Sequence, residues 1–211
     1  MYKLLSAQRG FSLIELAVVM LILALLAGGV VSVLRIQQEQ KVLTETKAVL
    51  NEAREALFAY AESHKGLPCP DTDTAPDGLI NTGCGTTIRG FLPWKDLGLS
   101  RGEDGWNQTL RYVVSKDLVE GKLAKLTDGS SGVKLAEDAS APSATVTIGA
   151  VAFSVWSVGP DGINGSEGES ATSNTIYTGS SATPADDIVT WGSKFVLFGR
   201  ILQAGQTLSV N

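Results

Sequence analysis

The hydrophobic and polar positions divide the chain into a long apolar run, an amphipathic stretch and a loop-rich remainder. No charged residue occurs from Leu16 to Leu34. These nineteen residues would form a helix of about 28 Å, close to the roughly 30 Å of bilayer hydrocarbon. The run therefore predicts a membrane-spanning helix. Lys3 and Arg9 precede it and Arg35 follows it, which favours a cytoplasmic N-terminus.

The amphipathic stretch continues the same helix. From Val42 to Ala61, apolar residues recur at steps of three and four, and charged residues such as Glu45, Lys47 and Glu52 lie between them. No proline occurs before Pro68. The pattern predicts one continuous helix from about Phe11 to His64, ended by Gly66 and Pro68.

The remainder of the chain predicts a sheet with long loops. Gly66 to Trp94 is rich in glycine, proline, aspartate and threonine, which is typical of loops. Three later runs alternate in polarity and are β-branched or aromatic: Thr109 to Ser115, Ala144 to Gly159 and Ser193 to Leu202. We predict an α+β fold, in which an antiparallel sheet packs on the amphipathic half of the helix.

Composition and charge narrow the functional classes. With 211 residues, 44% of them hydrophobic and 18% charged, the chain can fold as one domain with an appended segment. Its net charge of -5 argues against nucleic acid as a partner. One histidine, His64, two cysteines and no Gly-x-Ser-x-Gly sequence leave little material for hydrolytic or metal catalysis. We expect no enzymatic activity.

The two cysteines predict a disulfide. Cys69 and Cys84 lie in the Pro/Gly/Asp-rich stretch, and they suit one bridge in an oxidising compartment better than a zinc site. Such a bridge would stabilise the fold by about 3 kcal/mol in the chain-entropy picture. The alternative is a pair of free buried thiols, which the polar neighbours disfavour.

The N-terminal string RGFSLIELAVVMLI places an acid near the start of the apolar run. Glu15 follows Gly10 by five residues. One interpretation is a carboxylate that stays hydrated or protonated near the membrane interface. The other is a carboxylate with a compensating partner, because a charge at the bilayer centre costs roughly 2.5 to 3.5 kcal/mol.

This string resembles the N-terminal signature of type IV pilins and of the pseudopilins of type II secretion. The resemblance implies that a prepilin peptidase cuts after Gly10 and methylates the new first residue, Phe11. It also implies that Glu15 meets the positive N-terminus of a neighbouring subunit. Removal of Lys3 and Arg9 would change the net charge from -5 to about -7.

The resemblance also implies a pilin-like organisation. Residues 1–10 would be a cleaved leader, 11–35 the transmembrane half of the helix, 36–65 its amphipathic half, and 66–211 a periplasmic, β-rich globular domain. The protein would be a single-pass protein of the bacterial inner membrane, with its N-terminus in the cytoplasm, and would then enter a filament. Its partners would be prepilin peptidase, other pilin or pseudopilin subunits and the inner-membrane assembly platform.

A second stretch of the sequence, near Asp104, partly resembles a motif of pseudopilins. Their Asp-x-Trp-Gly motif is matched by Asp104 and Trp106, whereas Asn107 replaces the following glycine.

The last long loop is the candidate metal site. Its acids and glycines offer hard oxygen ligands that suit calcium, and it resembles the calcium-binding G-x-D-G … D-D-I loop of the major type II secretion pseudopilin. The resemblance assigns the ligands to Asp161, Asp186 and Asp187, with Asn164, Glu167 and Glu169 nearby. The alternative is a polar surface loop with scattered acids. An earlier acidic stretch, Asp71 to Gly78, lacks EF-hand spacing and is interpreted as a turn.

The sequence thus predicts a structural subunit, of the minor kind, of a type IV pilus or a type II secretion pseudopilus. Two alternatives stay open. A monomeric, membrane-tethered periplasmic binding domain would use the acidic loop as its ligand site. A minor pilin for DNA uptake would need a basic surface, against which the acidic balance argues.

Overall fold

The computed structural model describes residues 10–81, 84, 88–119, 133–136, 148–163, 175–177 and 186–205. Only the backbone is described at 26–36, 134–136, 148–149 and 175–177. Residues 1–9 of the predicted leader lie outside the described residues, as do Asn164, Glu167 and Glu169 of the acidic loop. The chain forms two compact units, Met1–Val42 and Leu43–Asn211.

Helix α1 spans Leu13–His64. The carbonyl of Ser12 accepts hydrogen bonds from the N–H groups of Glu15, at 3.1 Å, and Leu16, at 3.2 Å. Lys65, with φ of 54°, then takes the left-handed conformation that ends many helices. The prediction of one continuous helix is confirmed to within two residues at its start. A search of the described residues for a helix long and apolar enough to cross a membrane finds none.

The remaining elements belong to the second unit. In the described part of the chain they comprise six strands, a one-turn 3₁₀ helix and a second α-helix: β1 Arg89–Phe91, β2 Arg111–Val114, the 3₁₀ helix Lys116–Leu118, β3 Val133–Ala136, β4 Ile148–Ser157, β5 Thr175–Tyr177, β6 Ile188–Ser193 and α2 Lys194–Gln203.

Strand β4 is the centre of the sheet. Its Phe153 pairs with Val114 of β2 on one side and Gly192 of β6 on the other. Its Val151 likewise pairs with both β3 and β6, so β2 and β3 share one edge of β4 and β6 takes the opposite edge. β1, β2, β4 and β6 run antiparallel, as the sequence predicts, and β5 adds to β3 in parallel.

The second half of α1 covers this sheet. Phe58 meets Phe153 edge-on, with ring centroids 5.1 Å apart, and Tyr112 and Trp156 are fully buried in the sheet. The buried apolar residues of α1 repeat at steps of three and four, as predicted: Val49, Leu50, Ala53, Leu57, Phe58 and Ala61. The core of the second unit therefore forms between one helical face and the sheet.

One predicted strand is wrong. Ser193 to Leu202 is not a strand but mostly helix α2, and the strand β6 ends at Ser193. The Ser193 hydroxyl caps the helix by accepting a hydrogen bond from the Phe195 N–H at 3.2 Å. The buried residues fall at helical spacing: Lys194, Leu197, Phe198 and Ile201. The aromatic and branched residues from Ser193 to Leu202 also alternate with other residues, which is why the sequence pattern predicts a strand there.

Cys69 and Cys84 form a disulfide, with their Cα atoms 5.7 Å apart. The predicted pairing therefore agrees with the structure. Cys69 is fully buried, and the bridge closes the loop that leads from α1 towards β1.

Candidate functional site

The predicted cleavage point lies just before α1. Gly10 and Phe11 are exposed and precede the first helical residue, Leu13. A side chain added at Gly10 would meet nothing within 4 Å, and Phe11 is 83% exposed. A peptidase needs an accessible, non-helical backbone, and the structure offers one at this bond.

Glu15 lies in the first turn of α1. A carboxylate is favourable there because the helix N-terminus carries partial positive charge. Among the described residues, no cation forms an ion pair with Glu15, and the side chains around it are apolar and exposed: Leu13, Ile14, Leu16, Val18 and Val19. The geometry therefore leaves this carboxylate accessible to a partner from outside the chain.

The partial Asp-x-Trp motif organises a buried turn. The Oδ1 atom of Asp104 accepts hydrogen bonds from the N–H groups of Trp106, at 2.8 Å, and Gln108, at 2.9 Å. Its Oδ2 atom accepts one from the hydroxyl of Ser157 at the end of β4. Asn107 has a φ of 62°, in the left-handed region that glycine adopts freely and asparagine tolerates. The substitution of asparagine for the motif's glycine therefore preserves the turn.

The same turn is attached to α1. The N–H of Gly105 donates to the hydroxyl of Thr46 at 3.1 Å, and Arg101 forms a 2.7 Å salt bridge with Glu45. Through Asp104 the turn thus joins the helix to the strand that leads into the predicted calcium loop. The sequence pattern identified the motif but not these contacts.

The three predicted calcium ligands lie near the two ends of the segment predicted as one loop, which in the structure contains strand β5. Asp161 is exposed, and its Oδ1 atom accepts a hydrogen bond from the N–H of Ile163 at 2.8 Å. Asp186 and Asp187 are half-buried and directly precede β6. Asp186 packs against Gly159, which has a φ of 67° and no room for a Cβ. In the described residues, Asp161, Asp186 and Asp187 do not form a group whose carboxylate oxygens all lie within 4.8 Å of one another.

Such a group does occur in the stretch interpreted as a turn. Carboxylate oxygens of Asp71, Asp73 and Asp77 lie within 4.8 Å of one another. Asp71 is buried, and its two oxygens already accept hydrogen bonds from the N–H groups of Asp73, at 3.0 Å, and Gly78, at 2.8 Å. The turn interpretation agrees with these bonds. The sequence did not predict that the three acids meet, because their spacing matches no common metal loop.

A groove between α1, β6 and α2 was not predicted. It has a volume of about 460 Å³ and is lined by Arg54, Glu55, Phe58, Val189, Thr190, Trp191, Gly192, Ser193, Val196 and Arg200. Arg200 pairs with Glu55 at 2.7 Å and stacks over the ring of Phe58 at 4.5 Å. This hydrogen bond from Arg200 holds the pKa of Glu55 below its ordinary value. Sequence patterns miss such a groove because its walls come from distant segments, one of them predicted as a strand.

Residues 5–31 match the family described as the prokaryotic N-terminal methylation motif. The match includes Gly10, Phe11 and Glu15, so this part of the chain is similar to the N-terminus of type IV pilins and pseudopilins. Its motif is that of a prepilin peptidase substrate and points to a structural subunit, not an enzyme. The motif implies assembly with other pilin subunits. No curated protein and no solved structure matches the chain.

Proposed function

We propose that this protein is a minor structural subunit of a type IV pilus or a type II secretion pseudopilus. It is cleaved after Gly10, methylated at Phe11 and assembled through its N-terminal helix. The observation that carries the proposal is the methylation motif at residues 5–31, within which helix α1 begins at Leu13.

Glu15 is the assembly residue in this proposal. After cleavage the amino group of Phe11 is the new N-terminus, and such groups are largely protonated at neutral pH. Its positive charge on one subunit complements the Glu15 carboxylate on the next. In the apolar surroundings of packed helices an ion pair of this kind is poorly screened, so a missing partner carries a large penalty.

The compartment follows from the same elements. The uncharged run from Leu16 to Leu34 supports anchoring in the inner membrane before assembly, with Lys3 and Arg9 on the cytoplasmic side. The Cys69–Cys84 disulfide supports a periplasmic position for the globular part, since disulfides persist in oxidising compartments. The large loop-rich part beyond residue 36 favours a minor over a major subunit.

Replacement of Glu15 by alanine tests the assembly role. We expect the Glu15→Ala variant to be made and processed but absent from sheared filaments, whereas Glu39→Ala, at an exposed position on the same helix, enters them normally. Immunoblots of the membrane and filament fractions measure both variants. Equal incorporation of the two variants would contradict the assembly role of Glu15, whereas absence of the native protein and of both variants from the filament fraction would favour the membrane-tethered monomer.

We further propose that Asp161, Asp186 and Asp187 bind calcium. The support is the oxygen-rich character of the loop and the position of Asp186 beside Gly159, two residues from Asp161. Calorimetric titration of the full-length protein in detergent tests it. We expect heat from calcium binding in the native protein and none in the triple Asp→Asn variant at these positions. The matched control changes Asp71, Asp73 and Asp77 to asparagine; loss of binding only in that control would assign the ion to the earlier turn.

A further inference from the structure

The two cysteines of the disulfide lie in different surroundings. Cys69 is 0% exposed and belongs to the core of the second unit. Cys84 is only partly buried and packs against the outside of that core. Disulfides form and break when a thiolate attacks a sulfur atom, so each step needs a sulfur that the reaction partner can reach. Of the two residues, Cys84 therefore offers the more accessible sulfur.

The backbone on both sides of Cys69 is fixed to the sheet. The hydroxyl of Tyr112, on β2, donates a hydrogen bond to the carbonyl of Pro68 at 3.1 Å. Asp71 exchanges two backbone hydrogen bonds with Phe91 of β1: the N–H of Asp71 donates to the carbonyl of Phe91 at 3.0 Å, and the N–H of Phe91 donates back at 2.7 Å. Exposure of Cys69 would require these bonds to break, so its sulfur stays inside the folded protein.

The segment between the two cysteines is held by contacts that do not involve sulfur. The Oδ2 atom of Asp71 accepts a hydrogen bond from the N–H of Gly78 at 2.8 Å. Trp94 packs so closely on Gly78 that an added Cβ would lie 2.3 Å from its Nε1 atom. The N–H of Thr72 donates to Oδ1 of Asn81 at 2.5 Å. These contacts should hold Cys84 near Cys69 when the bridge is reduced.

We propose that Cys84 is the residue through which a disulfide-containing oxidant reacts with the folded protein, and that Cys69 completes the bridge. The thiolate of Cys84 attacks one sulfur of the oxidant, forms a mixed disulfide with it and displaces the oxidant's other sulfur as a thiolate. The thiolate of Cys69 then attacks the Cys84 sulfur, forms the native bridge and displaces the remaining sulfur of the oxidant. The two cysteines give up two electrons and two protons, and the oxidant's disulfide becomes two thiols.

This order of steps allows the bridge to close after the second unit has folded. A thiol reductant would open the bridge by the reverse path, with attack on the Cys84 sulfur and release of the Cys69 thiolate. The inference is independent of the proposed assembly role, because it uses only residues of the second unit.

Single-cysteine variants of the full-length protein in detergent test the order. Cys69→Ser leaves the thiol of residue 84, and Cys84→Ser leaves that of residue 69. We expect oxidised glutathione to form a mixed disulfide with Cys84 roughly tenfold faster than with Cys69, because reaction at the buried thiol requires local opening. The rates should become similar in urea. Mass spectrometry of the intact proteins measures both. Equal rates without urea, faster reaction of Cys69, or reaction of both thiols in urea alone would overturn the proposal.

A second measurement keeps both cysteines and so does not depend on the folding of these variants. The reduced native protein is treated with a small amount of iodoacetamide, which alkylates thiols irreversibly. Trypsin leaves both cysteines in the peptide 66–89, and fragmentation of that peptide locates the label. We expect the label at Cys84. A label at Cys69, or an even distribution, would overturn the proposal, and an even distribution is also what an unfolded reduced protein would give.

Replacement of Asn81 tests whether the contacts of the segment bring the two cysteines together. Asn81→Ala removes the acceptor of the Thr72 N–H, so the Cys84–glutathione mixed disulfide should last roughly threefold longer before Cys69 displaces glutathione. The control Asn51→Ala makes the same chemical change at an exposed position of α1 and should leave this lifetime unchanged. Equal lifetimes in the two variants would refute the role of the segment.

Discussion

The two halves of α1 use similar apolar side chains in opposite ways. Leu16, in the first half, is 54% exposed, whereas Leu57, in the second half, is fully buried against the sheet. The second half therefore has its partner within the same chain. The first half presents its apolar side chains outward, which a soluble protein rarely does on this scale. One helix thus serves stability at one end and, in the proposed function, assembly at the other.

Shortening one leucine in each half of α1 should have the largest difference in effect. Leu57→Ala leaves a cavity in the core and should lower the free energy of unfolding by about 2–5 kcal/mol. Leu16→Ala should leave the free energy of unfolding unchanged. All four tryptophans lie in the globular unit, so denaturant unfolding followed by tryptophan fluorescence in detergent reports on that unit. Equal effects of the two substitutions would contradict the division of roles.

The next largest effect concerns the disulfide, whose two cysteines both lie in the second unit. Replacement of both Cys69 and Cys84 by serine should cost about 3 kcal/mol, since the bridge closes a loop of about fifteen residues in the unfolded chain. Thermal melting of the oxidised native protein and of the double variant measures the loss. Processing at Gly10 should be unaffected. A processing defect in a variant that still folds would show that cleavage depends on the second unit.

A smaller effect is expected at the turn built by Asp104. Asn107→Ala should destabilise the protein by about 1 kcal/mol, because alanine is strained at positive φ. Asn107→Gly restores the motif's residue and should be neutral or slightly stabilising. Urea unfolding of the two variants compares them directly, and equal stabilities would argue against the left-handed turn.

The smallest effect concerns Glu55, whose pKa is lowered by its hydrogen bond with Arg200. A carboxyl with a lowered folded-state pKa stabilises the protein above its unfolded pKa, and this contribution disappears as the pH falls through the folded pKa. Because the pair is partly exposed, we expect Glu55→Gln to cost less than about 1 kcal/mol at neutral pH. The difference from the native protein should vanish in acid. A difference that persists at low pH would assign the effect to packing.

The parts of the fold that depend on local pattern were predictable. The helix to His64 follows from its periodicity and the lack of proline, and the pairing of Cys69 with Cys84 follows from there being only two cysteines. Strands β2 and β4 lie within predicted runs. The segment from Ser193 to Leu202 was predicted wrongly because its residues satisfy strand alternation and helical spacing alike. Only packing of Leu197 and Phe198 against the core decides between them.

The candidate sites also differ in how far the sequence predicts them. Gly10, Phe11 and Glu15 lie within one short stretch of sequence, so the sequence alone identifies them. The groove beside β6 depends on Arg54 and Arg200 meeting from distant parts of the chain, which only the tertiary fold determines. The position of Asp186 beside Gly159 likewise requires the end of β4 and the start of β6 to be neighbours in the sheet.

Mass spectrometry of the mature N-terminus, on protein purified from membranes, tests whether the protein is processed as a pilin subunit. We expect a first peptide that begins with N-methylated Phe11, with residues 1–10 removed. An intact Met1, or cleavage near Ala27 that discards the apolar run, would contradict it.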